Sequence, residues 1–266
     1  MRTGQSKPLP RRVRRLDVNN MYEKRVIRQG AGLTGLLIMG ITVLALGMPA
    51  GGSLMSGDDA WAVIFATDEE GTAQVDEGWA LHNWLLDHGW QDSHIVFLAD
   101  HSGADGFATK DNIHDAISDV ALHSGPNSMI FISALDEFQW GDGKLCFQAS
   151  DGLISEQELG TWVNEIGTYG KMGIEVSGRY TAAFIPSLSG IDRAVVTSHA
   201  CTESSTPNNY KLSVALDSSC ADYNADGYVS LQEAHTYEYK FIRTQFPGTQ
   251  TPQMESCTGD IILDVL

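Results

Sequence analysis

The chain has 266 residues, 42% of them hydrophobic, enough to build one large buried core or two small ones. Its charge is divided: residues 1–30 hold nine Lys or Arg against two acids, while 31–266 hold eight against 32, within a total of −17. Phosphate binding needs the opposite sign, so nucleic acid is excluded as the main partner of the acidic part.

The chain opens on a basic leader, 1–29, which carries Arg11, Arg12, Arg14, Arg15, Lys24, Arg25 and Arg28. No residue from Gly30 to Gly57 is charged, and the run GLTGLLIMGITVLALGM approaches the roughly 20 apolar residues that cross a bilayer as a helix. Positive charge stays in the cytoplasm, so 30–57 is expected to form an N-terminal membrane helix that anchors residues 58–266 on the outer side. The alternative is a cleaved signal peptide, with Ala45 and Gly47 flanking the cleavage site and the domain secreted. Either route exports the acidic domain, where disulfides among Cys146, Cys201, Cys220 and Cys257 can persist. Their pairing stays open, as does the alternative of buried free thiols. No two have CxxC spacing, which argues against a cysteine metal site.

WAVIFAT (61–67) reads as a buried strand; Val75, Trp79, His82 and Leu86 then recur at helical spacing, and Gly89 closes that helix. HIVFLA (94–99) is the next strand. A helix over 111–123 turns Ile113, Ala116, Ile117 and Val120 inward, and SMIFIS (128–133) is a third strand. Gly141, Asp142 and Gly143 ahead of LCFQ mark a hairpin within 139–150. Ser155 and Glu158 form a capping box that opens a helix over 155–166. KMGIEVS (171–177) and DRAVVTS (192–198) are two more strands, joined through a short helical segment near 182–188. Apolar strands alternating with helices predict an α/β fold, a mainly parallel sheet with helices on both faces. In such sheets chemistry collects at the strands' carboxyl ends, here 67–71, 99–103, 133–138, 177–181 and 198–205.

Residues 222–233, DYNADGYVSLQE, match a complete twelve-residue EF-hand-type calcium loop. Asp222, Asn224 and Asp226 stand at positions 1, 3 and 5, the Tyr228 carbonyl at 7, Ser230 at 9 and Glu233 at 12, with Gly227 at the sharp turn. Ca2+ is therefore the expected cofactor. An Asx-rich surface turn is the alternative. The loop is solitary, which points to a structural ion. The aromatics Tyr237, Tyr239 and Phe241 fit packing of the helix that follows; Trp90 and Met254 are also assigned to packing, and His235 stands outside the ligand positions.

WAVIFAT, ATKDNIHDAI, DGLISEQELGTWV, FIPSLSGIDRAVVTS and DYNADGYVSLQEA resemble, in order and spacing, the legumain-like C13 peptidases and their caspase-fold relatives over roughly 60–245. The resemblance implies a caspase-like sheet, with a catalytic histidine in a Ser-Gly-His-Gly motif ending the third strand and a nucleophilic cysteine in a Cys-x-Ser-Gly motif ending the next. This chain has SALD and RYTA there, which puts Leu135 and Arg179 at the two positions. Leu135 has no proton to exchange and Arg179 stays protonated, so neither can serve as base or nucleophile. The expectation is a membrane-tethered pseudopeptidase that holds a peptide or protein ligand. One alternative is an active cysteine endopeptidase with a relocated His199 and Cys201 dyad, although side chains two apart on a strand stand about 7 Å apart. Another is a calcium-stapled surface interaction module. The acids Asp68, Glu69, Glu70, Asp136 and Glu137 form an acidic rim, a carboxylate pair or a weak cation site, and Arg179 is expected to pair with Asp136 or Glu137.

Overall fold

The computed structural model describes residues 56–69, 73–136, 138–204 and 208–265. The basic leader and the proposed membrane segment up to residue 55 lie outside the described residues. Among those described, no helix is long and apolar enough to cross a membrane.

The described residues form nine strands and six α-helices. Strand β1 is Ala60–Glu69, β2 Ile95–Asp100, β3 Met129–Leu135, β4 Phe138–Gly141, β5 Lys144–Ala149, β6 Gly152–Ser155, β7 Lys171–Ser177, β8 Arg193–Thr197 and β9 Gln253–Ser256. Helix α1 is Ala73–Asp87, α2 Lys110–His123, α3 Glu156–Glu165, α4 Ile185–Leu188, α5 Leu212–Leu216 and α6 Leu231–Gln245. The main sheet has the order β2-β1-β3-β7-β8-β9. Its first five strands run parallel, and β9 adds an antiparallel edge. The remaining strands form a small antiparallel sheet, β4-β5-β6.

Alternation along the central strands sorts the core into two layers. Ala62, Ile64 and Ala66 of β1, with Phe131 and Leu135 of β3, meet α1, α5 and α6 on one face. Val63 and Phe65, with Ile130, Ile132 and Ala134, meet α2, α3 and the small sheet on the other. Both faces are dry, which is why the strands read as continuous apolar runs. A fully buried Leu, Ile or Phe in such a layer contributes about 1.5–3 kcal/mol.

Local signals act as the sequence predicts at several joints. Ser155 Oγ accepts from Glu158 N–H and caps α3, while the Glu158 carboxylate pairs with Lys110 at 2.9 Å rather than completing the predicted capping box; Thr109 Oγ1, a cap the sequence reading did not name, accepts from Asn112 N–H at the start of α2. Gly89 ends α1 at φ +90°, with Gly89 N–H bonded to Leu86 O and Trp90 N–H to Leu85 O. Asp142 and Gly143, both at positive φ, make the tight β4–β5 turn.

The buried face of α1 differs from the expected one. Val75, Gly78, Leu81 and Leu85 point inward, while Trp79, His82 and Leu86 flank them. Gly78 is the reason: a Cβ there would stand 2.7 Å from the Phe97 ring, so the bare backbone lets the helix settle closer on β2. The elements β6, α5 and β9, too short to show a period, are additions to the sequence reading. Trp90 is buried and its indole N–H bonds Leu263 O, whereas Met254 on the edge strand is exposed. On α6, Tyr237 and Phe241 are partly buried, and Tyr239 faces solvent.

Candidate functional site

The parallel register sets Leu135, the last residue of β3, against Ser177, the last of β7. Asp136 N–H then donates to Ser177 O at 3.1 Å, and the chain passes into Gly178 and Arg179. Only glycine fits at 178, because a Cβ would lie 2.0 Å from Asp136 O. Ser198, just past β8, secures this corner: its Oγ accepts from Gly178 N–H at 2.8 Å and bonds Gly178 O at 3.0 Å. Arg179 is half-buried, and Tyr180 beside it adopts a left-handed backbone at φ 61°. For a bulky residue that conformation is strained, and strain of this kind clusters where a fold positions a functional group.

Beside this corner lies a small cleft lined by Glu77, Leu135, Ser177, Asn208, Tyr210 and Lys211. Asn208 Nδ2 donates to Ser177 Oγ at 2.8 Å, tying the cleft's outer wall to the strand end. Behind the cleft the sheet buries polar groups on a face that is otherwise apolar. Ser133 Oγ donates to Glu175 Oε2 at 2.7 Å, and both residues are wholly buried. Glu77 accepts from Ser213 N–H at 2.8 Å and lies 3.7 Å from Lys211 Nζ. Glu238 accepts from Lys211 N–H at 3.3 Å. Burial, with the Glu77 charge added, pushes Glu175 up to about 8 and outweighs the Ser133 bond and Lys211. Glu238 is raised too, chiefly by burial. Burial takes His235, whose Nδ1 lies 3.1 Å from Tyr210 OH, down to about 4. The sequence reading missed this cluster, although an acid inside the apolar run KMGIEVS was a visible signal.

His199 and Cys201 occupy different surroundings. His199 is 0% exposed, with Nδ1 2.9 Å from Ser198 Oγ, whereas the Cys201 thiol faces solvent. His199 is therefore an interior side chain and Cys201 a surface one. Glu203 stands nearby: burial would raise its carboxyl, but bonds from Thr251 and Ala200, with His199 assisting, hold it below the usual range. All four cysteines are free; Cys146 is buried, with its thiol pushed up by burial and then by Glu156, while Cys201, Cys220 and Cys257 are exposed. Of the two alternatives, disulfides or buried free thiols, Cys146 fits the second, while the other three are free thiols at the surface. Asp136 is buried against the backbone of Gly178, Glu137 and Glu70 lie outside the described residues, and Asp68 and Glu69 extend β1.

The 222–233 loop turns on its own side chains. Asp226 N–H bonds Asp222 Oδ1 (3.2 Å) and Asn224 Oδ1 (2.9 Å), Gly227 N–H bonds Asp222 Oδ2 (3.1 Å), and Tyr228 N–H bonds Asp226 Oδ1 (2.9 Å). Gly227 sits at φ +94°, as position 6 requires. Glu233 folds back so that Oε1 accepts from Tyr223 and Asn224 N–H, while Oε2 and Ser230 complete a capping box on α6. Among the described residues no group of three or more His, Cys, Asp and Glu is gathered to hold a metal ion. The loop's donors are hard oxygens that suit Ca2+, and the carboxylate oxygens of Asp222 and Asp226 each accept one bond and retain a further lone pair. Ligation of an ion would require Glu233 to exchange its backbone bonds for it.

No protein-family model matches the chain, and no curated protein sequence does. Solved structures match it. Caspase-1 from Spodoptera frugiperda superposes with a TM-score of 0.54 at 11% identity, over 85% of this chain and 98% of that one. The protein GSU0716 from Geobacter sulfurreducens gives 0.50 at 12% identity, over 74% of this chain and 92% of its own. At such identity the likeness is one of fold, and the fold is caspase-like.

Proposed function

We propose that this protein is an exported, membrane-tethered, legumain-like pseudopeptidase of the caspase-like fold, which holds a peptide or protein ligand without cutting it and carries one structural Ca2+. The observation that supports it most is the pair of residues at the adjacent ends of β3 and β7, Leu135 and the residue that follows Ser177–Gly178, Arg179. In the peptidases that the sequence resembles, these positions carry histidine and cysteine. A leucine 1% exposed and a guanidinium provide neither base nor nucleophile. Removing one member of such a pair can cost about a millionfold in turnover.

The competing reading, peptidase activity through Cys201, makes a different prediction. If the protein is a pseudopeptidase, a thiol-reactive peptide probe is expected to label Cys201, Cys220 and Cys257 at comparable rates, as three exposed thiols would be. Labelling abolished by Cys201→Ala but unaffected by Cys220→Ala would overturn the pseudopeptidase reading.

The calcium reading rests on the donor order of 222–233 and on its Asx turns. Extracellular single sites commonly have dissociation constants of ~10⁻⁴–10⁻³ M, so millimolar Ca2+ is expected to stabilise the domain by about 1–2 kcal/mol at the tighter end. A thermal melt with and without Ca2+ measures this. Glu233→Gln retains a backbone acceptor but loses the bidentate anion, and the Ca2+-dependent rise should disappear in it. An equal rise in both proteins, or none in either, refutes the site.

A further inference from the structure

Three glutamates converge behind the strand-end cleft from three elements, with a single lysine among them. Glu77 comes from α1, Glu175 from β7 and Glu238 from α6; their exposures are 5%, 0% and 0%. The other titratable groups facing them are Lys211 and Tyr210, from the segment that leads into α5, and His235 of α6, which reaches them through Tyr210. Glu175 Oε1 and Glu238 Oε1 have no hydrogen-bond partner among the described residues.

We propose that Glu77, Glu175, Glu238 and Lys211 form a proton-operated latch, which keeps the 208–216 strap closed as one wall of the strand-end cleft in mild acid and releases it above neutrality.

These groups tie the strap to α1 and α6, and its Tyr210, Leu212, Ala215 and Leu216 are also buried in the core. Lys211 N–H bonds Glu238, Ser213 N–H bonds Glu77, and Lys211 Nζ reaches both Glu77 and Ala73 O. Further anchors are Asn208 on Ser177, Asn209 N–H on Gln250 Oε1 at 2.7 Å and Tyr210 OH on His235. With Glu175 and Glu238 protonated, Lys211 offsets the one anion, Glu77, and the cluster is close to neutral. Two further ionisations would leave three buried carboxylates around one ammonium, with no water to solvate the excess. Because β7 is central in the sheet and α6 is 15 residues long, the short strap, whose helix α5 has 5 residues, is the smallest element that can open and admit water, although opening exposes Leu212, Ala215 and Leu216. Burial raises both Glu175 and Glu238 and so places these ionisations above the ordinary carboxylate range. The latch stands independently of any peptide binding in the cleft.

Hydrogen exchange on the full chain tests it, with rates corrected for the intrinsic effect of pH. Strap amides 208–216 are expected to exchange at least about tenfold faster near pH 9 than near pH 6, while β3 and β7 stay protected. In Glu175→Gln/Glu238→Gln that difference should vanish. A wild-type strap equally protected at both pH values, a loss shared by β3 and β7, or a response that persists in the double variant overturns the proposal. Infrared spectra of the wild type supply a readout that does not depend on the variant folding. The band of a protonated buried carboxyl should be present at neutral pH and fade as the strap opens; its absence at neutral pH overturns the latch.

Discussion

Glu175→Gln is expected to be markedly more stable than the wild type at pH 8 and close to it at pH 5. The unfolded side chain releases its proton at about 4.5, whereas burial holds it on the folded protein up to about 8. Between these values the folded state binds more protons than the unfolded one, so stability is full below 4.5 and is lost as the pH rises toward 8. Integrated, this amounts to on the order of 3–5 kcal/mol, roughly 10 °C in melting temperature for a domain of this size. Glu238 acts in the same direction. His235 acts in the opposite one: held neutral down to about 4, it contributes stability that is present above 6.5 and is lost as the pH falls. Denaturant titrations from about pH 5 to 9 should therefore show a maximum in mild acid and a steady decline on the alkaline side. A wild-type curve flat from neutrality to pH 9, or a variant that declines as steeply, contradicts the buried-acid assignment.

Gly178→Ala is expected to cost about 3 kcal/mol or more, the upper end of overpacking, because the new methyl meets a backbone carbonyl rather than a yielding side chain. It would lie 2.0 Å from Asp136 O and 2.5 Å from Phe138 Cδ2, so the junction of β3 and β7 must separate and the turn that carries Arg179 must shift. Gly143→Ala is the control. That glycine also has a positive φ, +76°, but nothing lies within 4 Å of its added methyl, so only backbone strain of about 1 kcal/mol is expected. Equal urea midpoints for the two variants would rule out the close approach at 178.

Much of the scaffold was legible in sequence because its signals are local. Ser155 marks a helix start, Gly89 a helix end and Asp142–Gly143 a tight turn, each through a bond or dihedral that spans only a few residues. The apolar strands announced a sheet covered on both faces. The face of α1 was misread because Gly78 contributes no hydrophobic signal, yet it decides how near the helix lies to Phe97. Glu77 and Glu238 look like solvent-facing positions on amphipathic helices, and both point inward.

By itself, then, the sequence determined the alternation of strands and helices, the donor order of residues 222–233 and the identities of Leu135 and Arg179 at two strand ends. Tertiary structure decided what those residues meet. Glu77, Glu175 and Glu238 lie far apart along the chain, and each carries no more local information than an ordinary acid. Only the parallel order β3-β7, with α1 and α6 over the same face, takes all three out of water beside one lysine. Desolvation, which makes them hold protons, is a property of that enclosure and cannot be written in any short stretch of residues.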